Sequence, residues 1–183
     1  MGTHQQGHFR RSLYGDLTGL DKRQADGFFS ILSGVPQRVI AHLPSRLITR
    51  IMSGTIVSMI VDHPQFIHLM IEDPRLARPI FLSHVHASCS VVGRMDLFEG
   101  IHQVSQTVDG PWLVGGDFNV IAHDGERTGV STRDRGKTDF CDMMMECGLT
   151  DAGFSGSPYT WHNKRVWKRL DRVLMSYEAA SFF

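Results

Sequence analysis

The rhythm of apolar and polar positions changes near residue 55. Before it, helical spacing shows only at Phe28, Phe29, Ile31 and Leu32, and Gly34-Val35-Pro36 breaks it. From 55 to 61 the chain is apolar and β-branched, Asp62-His63-Pro64 reads as a turn, and alternation resumes over 65–71, which predicts a β-hairpin. A third strand is expected over 79–87, after the loop at Glu72-Asp73-Pro74. Ser90 is a suitable N-cap for a helix whose Leu97, Phe98, Ile101 and Val104 share one face. The run Pro111-Trp112-Leu113-Val114 then predicts a buried strand over 111–117.

A polar loop follows, from Asp124 to Lys137, long enough to be functional. Thr138 is expected to cap a second helix with Phe140, Met143, Met144 and Cys147 as its core stripe, ended by Gly148. The spans 159–162 and 166–175 read as two strands of a hairpin carrying Asp171, with Tyr159 and Trp161 expected to pack within it. Strand, helix and buried strand in succession predict an α/β layered fold. Two parts are expected: a segment 1–50 without readable chemistry, and a domain over 51–183.

Composition narrows the class. At 183 residues, 42% hydrophobic and 21% charged, the chain has the make-up of a globular domain with a sizeable core. No apolar run approaches the ~18 residues of a membrane span, and the polar start lacks the apolar core of a signal peptide. With three cysteines and no metal-type Cys-x-x-Cys spacing, an intracellular setting, nuclear or cytoplasmic, is expected. Acidic and basic residues balance at 19 each, so global charge announces no partner. Local charge says more: Lys164, Arg165, Lys168 and Arg169 cluster on the hairpin, either as a solvated face or as candidates for substrate binding.

The chemistry centres on Gly115-Gly116-Asp117-Phe118-Asn119. Asp117 and Asn119 are two apart, so on an extended chain they share a face, and the glycines allow close approach of a phosphate. Asp171 reads either as part of this chemistry or as an ion-pair partner of Arg169 or Arg172. Glu126 is expected to be a solvated loop residue. His84 and His86, on one strand face with Cys89 nearby, form an alternative zinc cluster.

The ordered blocks Gly-Gly-Asp-Phe-Asn, Glu126-Arg127, Asp139-Phe140, Gly148-Leu149-Thr150-Asp151, Tyr159-Thr160-Trp161 and Arg169-Leu170-Asp171-Arg172 resemble the endonuclease/exonuclease/phosphatase superfamily. Within it they are most similar to the endonuclease region of plant non-LTR (LINE-type) retrotransposon polyproteins. Val85 to Ser90 with Arg94, Leu97 and Phe98 fits the upstream part of the pattern.

This resemblance implies a partial four-layered α/β sandwich, two packed β-sheets flanked by helices and incomplete at both termini. It also implies Mg²⁺-dependent hydrolysis of phosphodiesters in DNA. Asp117 would hold the metal and position or deprotonate the attacking water, Asn119 would hold that water or a phosphate oxygen, and Asp171 would orient a catalytic histidine. His86 stands where the family has a phosphate-contacting tyrosine. Residues 1–50 contain no glutamate to match the family's metal ligand, and no histidine follows Asp171. Impaired catalysis is therefore expected. The alternatives are a non-catalytic remnant that binds nucleic acid or protein, and a phosphatase of small or lipid phosphates.

Overall fold

The computed structural model describes residues 55–129 and 136–182; the expected helix at 28–32 and the segment 1–50 lie outside them. The described chain is a mixed α/β fold. Strands β1 (Ile56–His63) and β2 (Phe66–Glu72) form the expected hairpin, and β3 (Ile80–His86) pairs antiparallel with β2. β1 runs to His63, two residues into the expected turn, and a bulge between Met59 and Val61 shifts its register on β2.

Helix α1 (Val91–Ser105) connects β3 to β4 (Trp112–Asp117), and the two strands pair in parallel, which requires such a crossover. Ser90 caps α1 as expected, its Oγ accepting from the Gly93 N–H. Helix α2 (Lys137–Glu146) begins one residue before the expected cap Thr138. Gly136 holds that cap position at φ +94°, a left-handed backbone that threonine adopts only under strain.

The chain then differs from the expected hairpin. Leu149–Asp151 forms a short strand, β5, and the two-stranded β6 (Trp161–His162) and β7 (Trp167–Lys168) end before Arg169. Asp171–Ser176 is a separate strand, β8, in the main sheet. The break has a local cause. Thr160 Oγ1 accepts from the N–H groups of both Leu170 and Asp171, and the Leu170 carbonyl accepts from Phe118 N–H, so the chain leaves the hairpin to pair with β4. A short helix, α3 (Tyr177–Phe182), follows.

The main sheet has the order β1-β2-β3-β4-β8-β5. One face carries Phe66, Val85, Trp112, Val114 and Leu174, packed with Leu97, Phe98 and Ile101 of α1 and Phe140 and Met143 of α2. Alternation places Leu69, Ile71, Ile80, Leu82, Leu113 and Val173 on the other face, where they are also buried. A sheet buried on both faces is an inner layer, as in the α/β sandwich that the sequence implied.

Candidate active site

Three strands end or begin at one place. His86 closes β3, Asp117 closes β4 and Asp171 opens β8. His86 is the register partner of Asp117 across the parallel pair, and Asp171 is its partner across the antiparallel pair. Register partners share a face of the sheet, so an imidazole and two carboxylates form a row. The sheet thus brings together three sequence-predicted residues.

Asn119 joins them differently from its expected extended geometry. Its φ is +50°, so the chain turns directly after Asp117. The Asn119 N–H donates to Asp117 Oδ1 at 2.8 Å, and its Nδ2 donates to the Ala87 carbonyl at 2.6 Å. Ala87 N–H in turn donates to the Asp117 carbonyl. Buried Arg94 donates to the Ser88 and Cys89 carbonyls, so the loop after His86 is held from both sides. Burial raises the Asp117 pKa above the usual carboxylate value, against the opposing pull of the Asn119 N–H, His86 and Arg94.

The basic cluster divides. Lys164 and Arg165 are exposed and Lys168 is half-buried, on a hairpin whose Trp161 and Trp167 are 40% and 45% exposed. The expectation that Trp161 packs inside the hairpin fails, because two two-residue strands enclose no core. His162 stacks on Trp167 with ring centroids 4.2 Å apart. Arg169, expected among the substrate contacts, is buried instead, with its guanidinium bonded to Glu126 and Asp151. Glu126, expected to be solvated, is 5% exposed because two arginines bind it. Arg172 lies on the opposite face of β8 from Asp171 and pairs with Glu126 and Asp151.

Asp151 was legible in the sequence only as part of a motif; its role in binding Arg169 and Arg172 was not. Three residues of strand are too few to show a period.

Among the described residues, no three His, Cys, Asp or Glu side chains converge to hold a metal ion, which removes the zinc cluster at His84, His86 and Cys89. The oxygen donors of Asp117 and Asp171 fit a different ion. Mg²⁺ takes one or two carboxylates and completes its shell with waters and substrate phosphate oxygens. No described helix is long and apolar enough to cross a membrane.

No curated protein matches the chain. Among solved structures it is similar to the endonuclease domain of TRAS1, a telomere-specific non-LTR retrotransposon, at 16% identity and a TM-score of 0.54, covering 72% of this chain and 60% of that one. This is a likeness of fold, and the chain spans less than two thirds of that structure. It is more distantly similar to a β-hairpin deletion mutant of Staphylococcus aureus beta toxin (15% identity, TM-score 0.43, covering 62% of this chain and 44% of that one). The human Nocturnin catalytic domain also matches (18% identity, TM-score 0.37, covering 68% and 47%). Residues 21–181 match the sequence profile of the Endonuclease/Exonuclease/phosphatase family, whose members are generally dependent on divalent metals. With the match running through both strands that bear the paired aspartates, this chain belongs to the Endonuclease/Exonuclease/phosphatase family.

Proposed function

We propose that the chain is a nuclease-type phosphodiesterase domain of retrotransposon origin, acting on DNA. The observation that carries this reading is the register pair of Asp117 and Asp171 at the end of the inner sheet, with His86 beside them. A bound divalent cation, Mg²⁺ by the donor chemistry, would supply charge neutralisation at the phosphate oxygens, with Asp117 and Asp171 as its protein ligands. Asp117 Oδ1 is committed to the Asn119 N–H, which fixes the carboxylate and leaves Oδ2 to take a proton from the attacking water. His86, exposed at the rim, donates a hydrogen bond to a phosphate oxygen. Turnover is low, because residues 1–50 contain no glutamate to match the family's metal ligand.

Incubation of supercoiled plasmid with Mg²⁺ tests this reading. Nicked circles should accumulate slowly, and disappear with EDTA or with Asp117→Ala. Nicking no faster than that of Asp117→Ala overturns it.

The hairpin favours a second reading, in which the domain binds nucleic acid without cutting it. Exposed Trp161 and Trp167 beside Lys164 and Arg165 combine stacking surfaces with positive charge, the pairing that suits single-stranded or distorted DNA.

A further inference from the structure

Behind the row of His86, Asp117 and Asp171, on the opposite face of β8, lies a buried network of two arginines and two carboxylates. Arg172 is 1% exposed, and its planar fork reaches three residues besides Asp151. Nη1 donates to Glu126 Oε1 at 3.0 Å and Asp151 Oδ2 at 3.1 Å. Nη2 donates to Glu126 Oε2 at 2.8 Å and to the carbonyls of Arg169 at 3.2 Å and Val120 at 3.4 Å. Arg169 donates to Glu126 Oε1 at 3.2 Å, Asp151 Oδ1 at 2.8 Å and the Gly153 carbonyl at 3.3 Å. Phe140 and Phe154 lie against the two guanidinium planes, at 5.0 and 4.9 Å.

The network grips the chain at two places that matter for the site. Glu126 Oε2 accepts from the Ala122 N–H at 2.6 Å and Arg172 holds the Val120 carbonyl, both just past Asn119. Arg172 also holds the Arg169 carbonyl, and the Leu170 carbonyl accepts from Phe118 N–H, both just before Asp171. The turn carrying Asp117 and Asn119 is thereby stitched to the lead-in of the strand carrying Asp171. Burial works to raise the pKa of both Glu126 and Asp151, but their hydrogen bonds and charge pairing with Arg172 and Arg169 outweigh it and hold both carboxylates ionised.

A buried ion pair is a poor source of stability compared with apolar residues of the same volume. A forked guanidinium bonded to one carboxylate on the loop after β4 and another at the end of β5 is a good source of fixed geometry. We infer that Glu126 and Arg172 are positioning residues, which set the Asp117–Asn119 turn against Asp171 through this charge-balanced clamp. The effect on turnover rests on the phosphodiesterase reading; the effect on the turn does not.

The test uses the double variant Glu126→Leu with Arg172→Met, which leaves Arg169 paired with Asp151 and so keeps buried charge balanced, together with Arg172→Lys. Amide hydrogen exchange is read residue by residue in the folded proteins. Exchange at Phe118 and Asn119 should be at least ~tenfold faster than in the wild type, with Val114 inside β4 unchanged. Arg172→Lys should give an intermediate result, because one ammonium cannot span Glu126 and Val120 together. Wild-type protection of Phe118 and Asn119 in the double variant overturns the inference. If the wild type nicks plasmid, kcat of the double variant should fall with KM unchanged; unchanged kcat despite faster exchange also overturns the positioning role. If the wild type does not nick, the proposed activity fails and the exchange result alone decides whether the clamp sets the turn.

Discussion

Asp117 and Asp171 face each other across β4 and β8 as direct register partners, although the loop, α2, β5 and the hairpin all separate them in sequence. A carboxylate pair directly opposite on adjacent strands is destabilising unless something neutralises it.

Asp117→Asn should separate stability from activity. Burial raises the folded-state pKa of Asp117 above its unfolded value, so the protonated form is the favoured one in the fold. That contribution is present at low pH and is lost as pH rises through the folded pKa, leaving ionised Asp117 as a cost at neutral pH. The neutral amide should raise stability by about 1 kcal/mol, or roughly 2–4 °C in Tm. Plasmid nicking should fall by at least ~100-fold. Calorimetry and the nicking assay on one preparation check both.

His68 predicts a separate acid transition. It is 1% exposed, its Nδ1 lies 2.8 Å from Ser83 Oγ, and Trp112 Nε1 donates to the same hydroxyl. Burial lowers its pKa from 6.5 to about 4, so the unfolded chain takes up a proton that the fold refuses. The stability tied to this histidine is complete above pH 6.5 and falls as pH drops to 4, by about 3 kcal/mol. Denaturant titrations across that window should show the slope, and His68→Gln should flatten it.

Gly116 should tolerate no side chain. Its φ is +140°, and a Cβ there would meet the Val85 carbonyl oxygen at 2.0 Å. Because that atom is backbone of the neighbouring strand, Gly116→Ala should cost about 3–5 kcal/mol by pushing β3 from β4. Urea unfolding measures it.

Lys164→Ala with Arg165→Ala should weaken DNA binding and reduce the salt slope of log K by about 1–2. Trp167→Ala should cost about 1–3 kcal/mol of affinity for single strands with little change in that slope. Fluorescence titrations at several salt concentrations distinguish the two effects, and an unchanged slope in the first variant would remove the hairpin from the binding surface.

Local pattern alone determined much of this protein. The apolar β-branched run at 55–61, the alternation over 65–71 and the apolar run at 111–114 marked strands to within two residues of β1, β2 and β4, the Ser90 cap and the Leu97–Phe98–Ile101–Val104 stripe marked α1, and the ordered blocks around Asp117 and Asp171 marked the family. These are short-range signals, set by side-chain period and capping, and they survive without knowledge of what each element packs against. Tertiary structure alone decided the rest. The strand over 166–175 breaks at Arg169 and Leu170 because Thr160, Glu126 and Phe118 take up its backbone groups. Arg169 and Glu126, polar in any sequence reading, are buried because each finds the other, with Arg172 and Asp151 closing the charge balance. The facing of Asp117 and Asp171 is likewise a matter of register between strands distant in sequence, which no local pattern specifies.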